Sequence, residues 1–254
     1  MNKLAHTIST SIWLMHRASA ESYLPSVARL LAGQEVSFYD TPARKGYAYN
    51  NTVGRSPNCE HYNIAKAPEG SVLVIPIRGA IMKDDGYCGE MGTESLMRLM
   101  RKAERMDNIA GYLLEIDSGG GEATNIETTA NFIRTVVQKP VVAHITGICA
   151  SAAYWMAAAA DKVYAAQGTN WVGSIGAMFT MMDYREALEK EGVKLHEIYA
   201  SQSMLKNDAF RAARDGDYDK LKKSMLDPMA QSFIDGVQRM RPQLSDGDAY
   251  RGEL

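Results

Sequence analysis

Hydrophobic and polar positions change their pattern along this chain at about residue 71. Before that point polar stretches dominate. Tyr23, Leu24, Val27, Leu30 and Leu31 recur at helical spacing and Gly33 follows as a stop, which predicts an amphipathic helix within residues 1–35, with Pro25 in its first turn. Residues 35–70 are rich in Tyr, Asn, Gly and Pro, show no period, and read as an extended arm or long connection. From Ser71 on, short unbroken apolar runs alternate with helical stripes. Runs 72–77, 109–116 and 140–146 read as strands buried on both faces, and Pro76 predicts an edge or a bulge in the first. Thr93 caps a helix with Leu96, Leu99, Met100 and Ala103 on one face. A second helix, from about residue 122 to 138, turns Ile126, Thr129, Ile133 and Val137 inward, and a third covers 151–160. Shorter strands follow at 161–165 and 193–200, with a glycine-bounded turn at 171–176 and a helix at 183–191 between them. Residues 217–240 carry one apolar stripe (Leu221, Met225, Met229, Phe233, Val237 and Met240), either core or partner surface, in which Pro228 kinks the helix or starts a new one. This alternation predicts an α/β domain over residues 71–254, with right-handed crossovers and a mostly parallel sheet, preceded by a helical segment and arm over 1–70. The closing residues 248–254 form no obvious finishing element, as in a domain whose last part lies beyond them.

Composition narrows the function classes. Of 254 residues, 46% are hydrophobic and 23% charged, as in soluble globular proteins. A net charge of −2 offers no basic surface for nucleic acid. Cys59, Cys88 and Cys149 are scattered, making neither a disulfide framework nor a metal knuckle, so free thiols in a reducing compartment and no cofactor are expected. The only compact apolar run near the amino terminus, 12–15, lies between Ser9-Thr10-Ser11 and His16-Arg17 and is too short for a signal sequence. No run approaches a membrane span, and the expectation is a cytoplasmic protein without an anchor.

Two strand-to-helix junctions carry the candidate chemistry: Asp117-Ser118-Gly119-Gly120-Gly121 and Ile148-Cys149-Ala150-Ser151-Ala152. In a parallel sheet both lie at carboxyl ends of strands, where open α/β sheets place their sites. Ser151 is either a helix cap or a nucleophile at a helix amino terminus. The glycine run is a phosphate cradle or part of an oxyanion hole; it lacks the GxxxxGK[ST] and GxGxxG spacings, which favours the oxyanion hole. A serine nucleophile needs a base. His144 lies inside the third strand, where a satisfied core histidine is the plain reading, and His6, His16, His61 and His196 have no motif around them. Cys149 precedes the helix and points to the core. Lysine is the other option, and a lysine base must be neutral, which calls for an apolar site. Lys206 lies just past a strand end, 55 positions after Ser151 (206 − 151); its plain reading is a solvated loop residue.

Taken together, residues 75–81, 116–121, 151–155, 160–165 and 173–176, followed by a lysine after the next strand, resemble the Ser–Lys peptidases of the signal peptide peptidase A (protease IV) family. The Ser-Ala-Ala-Tyr-Trp form is most similar to the phage capsid-assembly (prohead) protease branch. The resemblance implies a ClpP/crotonase-like fold of stacked ββα units. It implies Ser151 as nucleophile, Lys206 as general base, Ser174 as a hydroxyl orienting the lysine, and backbone N–H groups of Gly120 and Ala152 as the oxyanion hole. It also implies protein or peptide substrates, such as capsid or scaffold proteins of a prophage, and a homo-oligomer. The chain departs from the family in carrying Gly119 where proline is usual and Ala152 where glycine is common. Two rivals remain on the same architecture. One is a crotonase-type acyl-CoA enzyme, for which no carboxylate pair or adenine-binding region is identifiable; the other is an inactive structural member of the family.

Overall fold

A computed structural model of the chain describes residues 13–15, 29, 47–50, 54–55, 64–86, 91–181, 183–244 and 247–253. In chain order the strands are β1 (Trp13–Met15), β2 (Tyr47–Asn50), β3 (Gly54–Arg55), β4 (Ser71–Ile81), β5 (Ile109–Glu122), β6 (Val141–Ala150), β7 (Lys162–Ala165) and β8 (Trp171–Gly173). The helices are α1 (Thr93–Glu104), α2 (Ile126–Thr135), α3 (Ala152–Ala158), α4 (Arg185–Lys190), α5 (Asp208–Arg214), α6 (Asp219–Leu221) and α7 (Asp227–Met240).

The sheet runs β3-β2-β4-β5-β6-β7, and its centre, from β4 to β7, is parallel. A mixed α/β architecture with a mostly parallel sheet is thus what the alternating pattern produces. The long strands shift register partway, between Arg78 and Ala80 on β4 and between Ile116 and Ser118 on β5. Past the shifts the neighbours change. Residues 142–145 of β6 pair with β7, whereas its last three residues pair with β8. Pro76 lies beyond Val74, the last β4 residue paired with β2, so its missing N–H breaks no ladder among the described residues.

The core lies between this sheet and α1, α2, α3 and α7. Ile126, Thr129, Ile133 and Val137 all point inward as the spacing predicted. Leu221, Phe233, Val237 and Met240 are buried too, so the carboxyl-terminal stripe is core. Trp155 of α3 stacks on Phe233 of α7, with ring centroids 4.6 Å apart and planes 10° from parallel. Burying an aromatic side chain of this kind contributes on the order of 2–3 kcal/mol. The approach depends on Gly236, because a Cβ there would lie 2.6 Å from Trp155 Nε1. A π-helical turn, Lys222–Leu226, separates α6 from α7, and Pro228 sits in the first turn of α7. Proline cannot donate to the preceding turn, and the widened turn absorbs that loss.

Several expectations are corrected. β2 pairs with β4, so backbone hydrogen bonding crosses the expected boundary at residue 70, and residues 47–50 belong to the sheet. Residues 13–15 form a strand within the stretch expected to be helical. The helix expected at 23–31 lies outside the described residues except for Arg29, as do Cys59 and Cys88. The glycines of residues 119–121 are strand, because β4 pairs with Gly120 and Gly121 on one edge and β1 on the other. Residues 171–173 are strand for the same reason: β6 offers them an edge. Gly92, not Thr93, takes the cap position of α1. The strand expected at 193–200 is irregular and largely exposed, having no partner strand among the described residues. None of the helices of the described residues is long and apolar enough to cross a membrane.

Candidate active site

Ser151 is the single residue between the end of β6 and the start of α3. Its backbone, at φ 55° and ψ −121°, occupies a region that L residues rarely adopt, at a cost of about 1–3 kcal/mol. Two hydrogen bonds hold it there. The Ser151 N–H donates to the Gly173 carbonyl (2.8 Å), and the Ser151 carbonyl accepts from the Trp155 N–H (3.0 Å). The side chain makes no capping bond to the helix, so the helix-cap reading of this serine fails. The residue is 1% exposed. A sharp, strained strand-to-helix turn with an uncommitted serine side chain is the backbone arrangement that presents a nucleophile.

The glycine run lies alongside. β5 and β6 are parallel and pair Ser118 with Cys149, and Gly120 and Ser151 each lie two positions further along their chains. Gly121 has to be glycine, because a Cβ would collide with the backbone of Ile81. The polar residues before the glycines fix the strand ends. Ser118 Oγ donates to the Gly79 carbonyl (2.6 Å) and accepts from the Gly120 N–H (3.1 Å). Asp117 Oδ1 accepts from the Ile148 N–H (3.1 Å), and its carboxylate lies 3.6 Å from the Arg78 guanidinium. Asn170 Nδ2 donates to the Gly147 carbonyl (3.0 Å). Ala152 is fully buried and opens α3, and its N–H has no acceptor within the helix. The Gly120 N–H, by contrast, is engaged by Ser118 and has to leave or share that bond to meet an oxyanion.

β8 adds the second hydroxyl. Gly173 pairs with Ala150, and Ser174 follows with φ 54° and its N–H donated to the Glu253 carbonyl (2.6 Å). Gly120, Ser151, Ala152 and Ser174 are therefore assembled by backbone pairing of three strand ends. Lys206 is not part of that assembly. It lies on an exposed turn, its N–H donates to the Ser203 carbonyl (3.0 Å), and its own carbonyl accepts from the Arg211 guanidinium. No hydrogen bond joins its Nζ to Ser151 or Ser174 among the described residues. Its neighbours Met204 and Leu205 are 76% and 82% exposed.

The other candidates have structural roles. His144 lies seven positions before Ser151 (151 − 144) on β6, opposite Glu115 and Tyr164, which places it roughly 20 Å up the strand. Burial pushes the Cys149 thiol up to about 12, so it is not a thiolate at neutral pH. Burial also raises the Tyr154 hydroxyl. Asp117, Ser118 and Asn170 were given no role from sequence; the first two stand directly after an apolar strand run, and Asn170 lies in a polar turn before β8.

Residues 134–249 match the model of peptidase family S49, a span that includes Ser151, Ser174 and Lys206 and leaves out the glycine strand. The chain is 30% identical over 190 residues to head-tail preconnector protein GP5 of Enterobacteria phage P21, covering 73% of this chain and 37% of that protein. It is 28% identical over 171 residues to capsid assembly protease C of Escherichia phage lambda, covering 65% and 38%. To protease 4 of Haemophilus influenzae it is 26% identical over 136 residues, covering 53% and 21%. The chain spans about half the length, or less, of the curated relatives it matches. Among solved structures, an enoyl-CoA hydratase from Polaromonas sp. JS666 aligns over 72% of this chain and 92% of that chain at 15% identity, with a TM-score of 0.35, and nothing chemical rests on so loose a superposition. The match of residues 134–249 to peptidase family S49 and the protease names among the similar proteins point the same way.

Proposed function

We propose that this chain is a serine endopeptidase with Ser151 as nucleophile and Lys206 as general base, acting on phage capsid or scaffold proteins. The observation that carries the reading is the backbone of Ser151: a buried serine held at φ 55° without a capping bond, two positions past the Ser118–Cys149 pair. Ser151 Oγ attacks the scissile carbonyl carbon while neutral Lys206 Nζ takes its proton. The C–N bond breaks, the proton passes to the leaving amine, and an acyl-enzyme remains. Water then attacks the ester, with the lysine again accepting the proton, and Ser151 is restored. The N–H groups of Gly120 and Ala152 receive the oxyanion. Ser174 orients the lysine amine.

Lys206 reaches the site when the surface segment around it is covered, and a second copy of the chain supplies that cover. Ile198, Met204 and Leu205, at 94%, 76% and 82% exposed, make this segment apolar where it meets solvent, which supports a homo-oligomeric assembly. The names of the phage relatives support capsid-related protein substrates. The test is peptide-library cleavage by the purified chain, read by mass spectrometry. Cleavage that vanishes in Ser151→Ala is expected; Ser151→Ala cleaving as fast as the parent overturns the reading. Thermal stabilisation by coenzyme A with no cleavage would point instead to the acyl-CoA enzyme.

A further inference from the structure

The edge of β5 beside the nucleophile turn is filled by the chain itself. A strand has two hydrogen-bonding edges. At Gly120 and Gly121 one edge of β5 pairs with Ala80 and Ile81 of β4. The other edge pairs with Cys149 of β6 at Ser118, and just beyond that level β6 turns away through Ser151 into α3. The edge vacated by β6 is taken by β1, which lies antiparallel with Met15 opposite Gly120, Leu14 opposite Gly121 and Trp13 opposite Glu122. In its own chain direction β1 therefore runs toward the nucleophile turn. Its last residue, Met15, is paired with Gly120, two positions past the Ser118–Cys149 pair that precedes the Ser151 turn.

An extended peptide laid antiparallel on a free strand edge is held by main-chain hydrogen bonds whatever its sequence. That is how a peptidase with a nucleophile at this turn has to hold a scissile bond, and the place is occupied in cis. The occupant is also distinctive in the sequence. It belongs to the one compact apolar run of an otherwise polar leader, residues 12–15, bounded by Ser9-Thr10-Ser11 and His16-Arg17. We infer that residues 13–15 occupy the substrate strand position of this site, making the amino-terminal segment an intramolecular competitor that an extended substrate must displace. The inference rests on the reading of Ser151 as a peptidase nucleophile. A tethered competitor acts at an effective concentration in the millimolar range, so it raises the apparent KM for substrate and leaves kcat unchanged.

The test uses the full chain and a Leu14→Pro/Met15→Pro double variant; N–H groups alternate edges along a strand, so changing both neighbours removes the one that faces β5 whichever it is. The two single proline variants, measured separately, serve if the double variant melts early. Hydrolysis of a fluorogenic peptide should show KM at least about tenfold lower in the proline variant at equal kcat. A second measurement does not depend on turnover. A fluorescein-labelled peptide of residues 9–18 is titrated into both chains carrying Ser151→Ala, and anisotropy is read. Binding at least about tenfold tighter to the proline variant supports occupancy by β1 even if neither chain hydrolyses peptide, in which case the peptidase reading alone has failed. Equal binding to both chains, absent binding to both, or equal KM in active chains overturns the inference.

Discussion

Ser151 and Lys206 sit 55 positions apart in one domain (206 − 151), in opposite physical circumstances. Around Ser151 the geometry comes from backbone ladders: β5, β6 and β8 bring Gly120, Ser151 and Gly173 together, and Asp117, Ser118 and Asn170 tie down the strand ends. Around Lys206 there is no ladder. Residues 193–200 are extended or irregular, largely exposed, and followed by a run of turns. The difference teaches that the position of Ser151 is a property of the fold, whereas Lys206 belongs to an exposed surface segment that the proposed reading requires to be covered before it can act.

The largest expected effect breaks the nucleophile side of this comparison. Ser151→Ala should lower peptide cleavage by at least about 10³-fold. Ser151→Gly should be equally inactive and yet about 1 kcal/mol more stable by thermal melting, since glycine adopts the backbone angles of Ser151 without strain. Lys206→Ala should lower cleavage by roughly 10²–10⁴-fold at an unchanged melting temperature. If Lys162→Ala has that effect and Lys206→Ala does not, the base is misassigned. Mixing the Ser151→Ala and Lys206→Ala chains sharpens the contrast: activity recovered on mixing means that the base is supplied across copies, and no recovery means that it is supplied within one. Ser174→Ala should cost less, about tenfold, as expected of a hydroxyl that orients the lysine and does not react.

The remaining predictions concern the packing that supports the nucleophile side. Gly236→Ala should destabilise by about 1–3 kcal/mol, lowering the melting temperature by several degrees, because the added methyl meets the Trp155 ring. Cys149 should resist alkylation by iodoacetamide at pH 9 in the folded chain and react once it is denatured. Its thiol is raised from 9.0 to about 12, so the unfolded chain loses this proton first. The stability this group contributes is therefore complete below about pH 9 and is lost as pH rises toward 12.

Much of this was legible in the sequence. Unbroken apolar runs located β4, β5 and β6, and the helical stripes located α1, α2 and α7, because burial on both faces and burial of one stripe leave different patterns. The strand-to-helix turn at Ser151 followed from the glycine and alanine residues on either side of it. What was not legible depends on pairing at a distance. Residues 119–121 look like a loop because glycine has low strand propensity, yet two neighbouring strands, β4 and β1, make them strand. Val193 and Leu195 look like strand because alternation predicts an extended chain, but alternation does not supply a partner. The roles of Asp117 and Asn170 depend on a register shift that no local pattern announces.

The hydrogen bond from the Ser174 N–H to the Glu253 carbonyl ties residue 253 back to residue 174, so a stretch spanning a separation of 79 positions (253 − 174) forms a ring closed next to Gly173, whose carbonyl accepts from Ser151. Lys206 lies on that ring, 32 positions from one fastening (206 − 174) and 47 from the other (253 − 206). Much of the entropic cost of returning a long chain to its starting point, which grows only as the logarithm of its length, has been met on folding. Bringing the lysine inward then means deforming a loop already closed at both ends, not capturing a free one. Whatever loosens Glu253 from Ser174 would lengthen the reach of Lys206 and lower its effective concentration near Ser151.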